Sequence, residues 1–257
     1  MKILDETIYH IGLSKEQGAG YAILPGDPGR VEKIASLLDA PTFVAQNREF
    51  TTWAGTLLGE RVLVTSTGIG GPSAAIAVEE LFGVGVRTML RVGTCGGMQT
   101  QVQTGDIVIP TGSIRLEGTS KEYMPTEFPA VPDFEALTAL VQAAKNKGRR
   151  YHTGVVQCKD SFYGQHEPDS LPNGKALREK WDTWIKGGAL ASEMETASLF
   201  IVAASRGIRA GALLFTVWNQ ERENRGLSNP VANDTAPAVE TVVEAMRLLI
   251  EADKRKA

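Results

Sequence analysis

Residues 62–97 read VLVTSTGIGGPSAAIAVEELFGVGVRTMLRVGTCGG. The first four residues are apolar or β-branched and predict a short buried strand, which is followed by a glycine-rich turn at residues 68–73. A proline in that turn suits the first position of a helix, which continues through residues 74–81. Residues 86–92 predict the next strand, and a second glycine-rich turn is expected at residues 93–97. The stretch therefore predicts a β-α-β unit, and open α/β sheets bind ligands at the turns after their strands.

Two polar side chains lie at the second of these predicted turns. Arg91 offers a fork of N–H donors and Thr94 offers a hydroxyl, and both suit the oxygens of an anion. A glycine-rich crossover that binds nothing explains the same pattern equally well. The glycines and these two side chains alone therefore leave both interpretations open.

The rest of the chain alternates between strand and helix patterns. Further strands are predicted at residues 21–24, 42–57, 61–66, 105–110, 152–157 and 210–218, with a hairpin turn at 58–60. Helices are predicted from Pro28, at 133–148, 177–186 and 194–206, and from Thr235 onward. The segments 115–131, 162–174 and 220–234 lack periodicity, and 162–174 is expected to be a mobile loop. This alternation predicts an α/β fold, one domain over residues 1–257 with a mixed central sheet flanked by helices.

The composition excludes several classes of protein. The 27 basic and 30 acidic side chains give a formal net charge of −3, so no general basic surface favours nucleic acid or an anionic membrane. Apolar runs are too short to cross a bilayer, and Asp5 and Glu6 interrupt the N-terminus before a signal sequence can form. Cys95 and Cys158 make no disulfide framework, which favours the cytoplasm. Cys95 is expected to be a small loop residue rather than a nucleophile.

The exact order of residues in the glycine-rich stretch favours one of these interpretations. Residues 66–76, STGIGGPSAAI, and the following Glu80 and Leu81 resemble the signature of the nucleoside phosphorylase family. The segments PGDPGR, REFTTW, DSFYGQ and EME, which begin at residues 25, 48, 160 and 193, resemble the uridine-cleaving members in the same order. This resemblance extends over nearly the whole chain. It implies phosphorolysis of a nucleoside by a pentosyltransferase without an organic cofactor or a catalytic metal.

The resemblance implies a phosphate site built from several segments. The residues that match the family's phosphate contacts are Gly26, Arg30, Arg48, Arg91 and Thr94. A lone arginine is more often solvated or paired with an acid, but each of these arginines falls within a family motif. In the family, the residues that match Arg48 and His10 reach the site of the neighbouring subunit.

The ribose is expected to contact Glu195, Met194 and the partner's counterpart of His10. A carboxylate accepts two vicinal hydroxyl protons, and a methionine suits the apolar face of a sugar. An acidic residue at a helix start also interacts favourably with the helix dipole, and that explanation fits Glu193 better.

The base is expected to contact Gln165 and Phe162, because a carboxamide matches the donor and acceptor edge of uracil and an aromatic ring stacks on it. The chain departs from the family pattern, which has an arginine two positions after this glutamine. Lys159 and His166 are the available replacements, and the sequence leaves both open. Asn219 stands where purine-cleaving relatives carry an acid that protonates the base, so purine cleavage is disfavoured.

The family's uridine-cleaving members hold a monovalent cation on a dimer axis, through residues that match Glu49, Ile69 and Ser73. A carboxylate, a carbonyl and a hydroxyl are suitable ligands for potassium. The alternative is that Glu49 pairs with an arginine and that Ser73 caps the following helix. The resemblance further implies an assembly of at least a dimer, and of three dimers in a ring.

The leading hypothesis is therefore the conversion of uridine and phosphate to uracil and ribose 1-phosphate in pyrimidine salvage, with Arg91, Glu195 and Gln165 as catalytic residues. One alternative is a phosphorylase that accepts both purines and pyrimidines, and another is a nucleosidase that uses water. A third is a non-catalytic nucleoside-binding protein on the same fold. Three arginines argue against water, since a hydrolase needs no phosphate site.

Overall fold

The computed structural model describes residues 7–256. Residues 1–6, which carry the expectation that no signal sequence is present, and residue 257 lie outside the described residues. The strands are Tyr21–Pro25 (β1), Asp39–Asn47 (β2), Phe50–Leu57 (β3), Glu60–Thr65 (β4), Thr88–Gly97 (β5), Ile107–Arg115 (β6), Tyr151–Cys158 (β7), Ala191–Glu193 (β8) and Arg209–Asn219 (β9). The helices are Val31–Ala35 (α1), Gly71–Gly83 (α2), Thr119–Tyr123 (α3), Phe134–Asn146 (α4), Phe162–His166 (α5), Gly174–Lys186 (α6), Thr196–Arg206 (α7), Gln220–Asn224 (α8) and Ala236–Lys256 (α9).

Within the described residues, nine strands form one mixed sheet in the order β2-β3-β4-β1-β5-β8-β7-β6-β9. Strand β5 also pairs with β9, so the strands from β5 to β9 close into a ring. Strands β4, β1, β5 and β9 run parallel to one another, and their carboxyl ends therefore meet at one edge. The predicted α/β fold with a mixed sheet is confirmed.

Helices cover both faces of the open part of the sheet. One apolar cluster packs α1, α4 and α9 against it, and a second packs α2 and α7 on the other side. Because both faces are covered, the carboxyl ends of the strands remain as the accessible edge. In the part of the chain that the structure describes, no helix is long and apolar enough to span a membrane.

The β4-α2-β5 unit forms as residues 62–92 predict. Gly68 and Gly70 have φ angles of 68° and 88°, which favour glycine, and Pro72 lies in the first turn of α2. At Gly71 a Cβ atom would lie 2.6 Å from the Ser198 hydroxyl of α7. The glycines therefore serve both the turn and the close packing of α2 on α7.

The predicted turn at residues 93–97 is wrong. These residues continue β5, paired along β9 and, at Gly96 and Gly97, also with β8. A Cβ atom on Gly93 would lie 3.1 Å from both the Arg91 side chain and Leu214, and one on Gly97 would lie 2.4 Å from Asn219. Glycine is required here by close packing, not by a reversal of the chain.

Two further predictions need correction near the same edge. Residues 162–174 are not a structureless loop, because Ser161 accepts from the backbone of Gly164 at 2.9 Å and caps α5, which a 3₁₀ turn at Pro168–Ser170 follows. The helix predicted from residue 194 begins at Thr196 and is preceded by β8. Short helices also interrupt the other two polar segments, at α3 and α8.

Candidate active site

A cavity of about 730 Å³ opens at the carboxyl ends of β1, β4, β5 and β9. Its lining includes the predicted site residues Gly26, Arg30, Glu49, Ile69, Arg91, Thr94, Lys159, Phe162, Gln165, His166, Met194 and Glu195. Three predicted residues, His10, Arg48 and Ser73, lie outside it. The fold therefore brings together groups from segments that are far apart in sequence.

One end of the cavity is rich in donors that suit an anion. Arg91 is buried, and its Nη1 donates to the Thr67 hydroxyl at 3.2 Å, whereas its Nε has no partner among the described residues. A Cβ on Gly26 would lie 3.7 Å from Arg91 Nη2 and 3.3 Å from the carbonyl of Gly68. A bare backbone at residue 26 thus keeps the approach to the guanidinium open. Arg30 also lines the cavity, and its Nε lies 3.7 Å from Asp27 Oδ2.

The predicted phosphate and ribose groups contact each other. Arg91 Nη2 donates to Glu195 Oε2, and the backbone N–H of Gly70 donates to Glu195 Oε1 at 2.6 Å. The two side chains expose only 5% and 7% of their surface. Each therefore stabilises the charge of the other inside the cavity, and breaking the pair would leave a buried charge alone.

Glu193 is the neighbouring acid, and its contacts are structural. Its carboxylate accepts from the backbone of Glu195 at 2.8 Å, from the backbone of Thr196 at 3.0 Å and from the Thr196 hydroxyl at 2.5 Å. Burial and the nearby Glu195 carboxylate raise the pKa of Glu193. Glu193 thus anchors the start of α7, in agreement with its predicted interaction with the helix, although it lies in β8.

Four polar side chains form a connected row beside the cavity, and three of them, Lys159, Gln165 and Ser192, line it. Lys159 Nζ donates to Ser192 Oγ at 2.7 Å, and Ser192 Oγ donates to Gln165 Oε1 at 2.6 Å. Gln165 Nε2 donates to Gln220 Oε1 at 3.0 Å. Ser192 and Gln220 were not found by sequence reasoning, because nothing in their local pattern distinguishes them from surface polar residues.

Aromatic rings lie beside this row. His166 and Phe162 have ring centroids 4.3 Å apart, and His166 and Trp218 are 5.9 Å apart. Burial and the neighbouring Lys159 charge lower the pKa of His166 below its ordinary value of 6.5. The imidazole is therefore neutral at pH 7 and presents a flat, weakly polar surface to the cavity.

Asn219 has a structural role outside the cavity lining. It is fully buried, and its amide donates to the carbonyl oxygens of Gln99 and Val102 at 2.9 and 2.7 Å. Its side-chain oxygen accepts from the backbone of Arg222 at the start of α8. The side chain is thus fully used in fixing the end of β9.

His10 and Arg48 lie outside the cavity. Buried Glu80 accepts from His10 Nδ1 at 2.6 Å and from the backbone of Ile11 at 2.8 Å, which holds the segment that carries the imidazole. Arg48 is exposed in the turn between β2 and β3, at a φ of 53°, with its guanidinium 5.8 Å from the Tyr9 ring centroid. Neither side chain lines the cavity of its own chain.

The residues predicted to bind a cation lie beside the cavity. Ser73 donates to Glu49 Oε1 at 2.7 Å, and this hydrogen bond lowers the pKa of Glu49. Glu49 forms no ion pair with an arginine of residues 7–256, and Gly70, not Ser73, is the N-cap of α2. Over the same range, no cluster of three or more His, Cys, Asp or Glu side chains is arranged to hold a metal ion.

Cys95 lines the cavity as a buried residue of β5 rather than of a loop. Burial raises the pKa of its thiol to about 12. A neutral thiol is a poor nucleophile, which agrees with the prediction that Cys95 takes no part in covalent chemistry.

Comparison with known proteins agrees with this geometry. A family model described as the phosphorylase superfamily matches residues 21–252. The chain belongs to this superfamily. It is 52% identical to a uridine phosphorylase of Treponema pallidum, over 95% of each chain, and 45% identical to that of Escherichia coli, over 95% of this chain and 98% of the relative. A guanosine phosphorylase of Halorubrum lacusprofundi is 43% identical, over 90% and 91%. The resemblance predicted from the motifs is confirmed, while these names include both a pyrimidine and a purine nucleoside.

Proposed function

We propose that this chain catalyses the reversible phosphorolysis of uridine to uracil and ribose 1-phosphate. The observation that carries the proposal is the set of groups that one cavity brings together. Arginine donors, the Glu195 carboxylate paired with Arg91, a methionine, and a carboxamide with aromatic neighbours all line it. This set meets the needs of phosphate, ribose and base in an in-line displacement at the sugar carbon. Relatives named uridine phosphorylase over nearly the full length support it.

The residues act mainly by placement and charge. Arg91, Arg30 and the open backbone at Gly26 hold phosphate against the sugar, which converts a bimolecular attack into one between fixed partners. The glycosidic bond breaks through a state with positive charge on the sugar, as in glycoside hydrolysis. The Glu195 carboxylate holds the sugar hydroxyls and stabilises that charge, while Met194 contacts the apolar face of the ring.

The base end favours a pyrimidine over a purine. Gln165 offers both a donor and an acceptor to uracil, and Trp218 narrows the space beside it. The cavity's carboxylates among the described residues are Asp27, Glu49, Glu193 and Glu195, and none of them follows β9. An acid placed to protonate a purine at that position is therefore missing from the described lining.

The proposed active unit is at least a dimer, and the proposed assembly is a ring of three dimers. His10 and Arg48 match family site residues yet lie outside the cavity of their own chain. Their placement is explained if they complete the partner's site, where Arg48 adds a further phosphate contact and His10 a contact to the ribose.

A potassium ion on the dimer axis is proposed with the dimer. The Glu49 carboxylate stays ionised because its pKa is lowered, and it already lies 2.7 Å from the Ser73 hydroxyl. With the backbone carbonyl of Ile69, each chain offers three hard oxygen ligands, and two-fold symmetry would double the set. Such a cation would tie two copies together beside their cavities, without entering the reaction.

The cytoplasm is the proposed compartment, and salvage of pyrimidine nucleosides is the proposed role. Cys95 and Cys158 are both unpaired and buried, which suits a reducing environment. Inorganic phosphate is the only co-substrate that the reaction needs.

The proposal is tested by incubating the protein with uridine, thymidine, inosine and guanosine, each with and without phosphate, and separating the products. The expected result is release of uracil and ribose 1-phosphate from uridine in the presence of phosphate only. Release of free ribose without phosphate would indicate a nucleosidase instead. Faster cleavage of inosine or guanosine than of uridine would refute the pyrimidine preference, and no cleavage with tight nucleoside binding would refute catalysis.

A further inference from the structure

Lys159 is a buried lysine at the base end of the cavity. It follows β7 directly, exposes 8% of its surface and lines the cavity. Its Nζ makes one hydrogen bond among residues 7–256, to Ser192 Oγ at 2.7 Å, and no carboxylate in that range lies within 4 Å of it. This is unusual, because a buried lysine is almost always paired with an acidic side chain.

The ammonium group of Lys159 has unused hydrogen-bond donors. It carries three N–H bonds, of which the Ser192 hydroxyl uses one. Burial lowers the pKa of Lys159, and the nearby Glu193 and Glu195 carboxylates oppose that shift without contacting the ammonium group. The remaining N–H donors have no partner among the described residues and are free to bind a ligand.

Ser192 connects this charge to the predicted base contact. Its hydroxyl accepts from Lys159 and donates to Gln165 Oε1 at 2.6 Å, and Gln220 accepts from Gln165 Nε2 at 3.0 Å. The two contacts fix which end of the carboxamide is oxygen and which is nitrogen. Lys159 and Gln165 are thereby held side by side, facing the same part of the cavity.

His166 is the other candidate for the missing arginine, and its surroundings are different. The ring lies against Phe162 at 4.3 Å, and burial together with the Lys159 charge keeps it neutral at pH 7. A neutral imidazole donates a hydrogen bond but supplies no positive charge. Lys159 and His166 are the two possible replacements for the missing arginine, and only Lys159 supplies a positive charge beside the base.

We propose that Lys159 is a catalytic residue whose ammonium group binds a carbonyl oxygen of the departing pyrimidine and stabilises its negative charge, with Ser192 and Gln220 as positioning residues. This inference rests on the proposed phosphorolysis of uridine. A phosphate oxygen forms a bond to C1′ of the ribose while the C1′–N1 bond breaks. The electron pair of that bond passes into the uracil ring and onto its oxygens. The proton that hydrogen phosphate loses on becoming an ester ends on the uracil, and Lys159 keeps its own.

The test compares two leaving groups in the variants Lys159→Met and Lys159→Arg. Methionine keeps the length of the side chain and leaves no buried charge, so folding is checked simply by the melting temperature. Removing one donor to a developing oxyanion typically costs about 10²–10³ in kcat, and that loss is expected for Lys159→Met with uridine. With 5-fluorouridine, whose electron-poor base leaves more easily, the loss is expected to be at least about fivefold smaller, since less charge needs stabilising. Lys159→Arg is expected to recover part of the rate.

Lys186→Met is the matched control, because Lys186 is exposed on α6 and lies outside the cavity lining and the neighbouring pocket. It is expected to leave both substrates unaffected. Ser192→Ala is expected to lower kcat for uridine by about tenfold while Lys159 remains, because the ammonium loses its orientation.

Two outcomes would overturn the assignment. If Lys159→Met slows uridine and 5-fluorouridine by the same factor, the lysine does not stabilise the leaving base. If His166→Ala slows uridine more than 5-fluorouridine, and Lys159→Met does not, then the histidine supplies the charge that stabilises the leaving base. A wild-type protein that does not cleave uridine in the presence of phosphate would instead refute the proposed function, and this inference with it.

Discussion

Replacing Arg91 by alanine should separate its two roles, in stability and in catalysis. The side chain is 5% exposed, and its partner Glu195 is 7% exposed. Removing one partner of a buried ion pair typically costs about 3–5 kcal/mol of folding free energy, because the other charge is left alone. For a chain of this size, that loss corresponds to a fall in melting temperature of about 10 °C. The loss of a preorganised anion donor is expected to cost a further factor of about 10²–10³ in kcat.

A second variant distinguishes the two effects. In Arg91→Ala/Glu195→Gln both charges are gone, so the stability is expected to return to within about 1 kcal/mol of the native value. The activity is expected to stay at the level of the single variant or below it. Arg61→Ala provides a control, since Arg61 is exposed on β4 outside the cavity lining.

The assay is steady-state release of uracil at a series of phosphate concentrations, together with thermal unfolding of each variant. Arg91→Ala is expected to raise KM for phosphate and to lower kcat. An Arg91→Ala protein that saturates with phosphate as the native one does would refute the phosphate assignment. A double variant as unstable as Arg91→Ala would show that the loss of stability does not come from an unpaired Glu195 charge.

The remaining predictions concern the base end, the end of β9 and the assembly. Gln165→Ala is expected to lower kcat/KM for uridine about 10- to 100-fold at unchanged stability, whereas Glu193→Ala is expected to lower the free energy of unfolding by about 2–3 kcal/mol because α7 loses its anchor. Steady-state kinetics and denaturant unfolding measure the two effects. If Gln165→Ala and Glu193→Ala lose the same activity at the same stability, the base pocket has been assigned to the wrong residues. Asn219→Asp is expected to destabilise the fold by about 2–4 kcal/mol without purine cleavage, since two buried carbonyls lose their donor, and cleavage of inosine by this variant would contradict that. Mixing Arg48→Ala with Arg91→Ala under conditions of subunit exchange is expected to restore about a quarter of the activity, because half of the dimers are mixed and one of their two sites keeps both arginines. No recovery despite proven exchange would mean that Arg48 serves its own chain.

Much of the fold follows from local sequence. The β4-α2-β5 unit was predicted because its signals act within a few residues: β-branched strands, glycines with positive φ at Gly68 and Gly70, and a proline at the start of α2. The same holds for α4, where the predicted cap Asp133 accepts from the backbone of Ala136 at 3.0 Å. The signals for these elements come from neighbouring residues, so the sequence alone is enough to predict them.

The wrong predictions concern segments whose local pattern fits two different structures. Glycines at residues 93–97 suit a turn as well as a tightly packed strand, and only Leu214 and Asn219, more than a hundred residues later, decide between them. The short strand β8 was missed because three residues carry no periodicity and are held by pairing with β5 and β7.

The sequence by itself determined which chemical groups this protein possesses, since motifs record residue types at fixed spacing. It also indicated the superfamily, which the comparisons confirmed. Only the tertiary structure decided which groups meet. Arg91 and Glu195 are 104 residues apart in sequence and yet paired, and Lys159 reaches Gln165 through a serine of another strand. The physical reason is that contacts between side chains depend on how strands are ordered in the sheet, and that order is set by the packing of the whole chain rather than by any one segment.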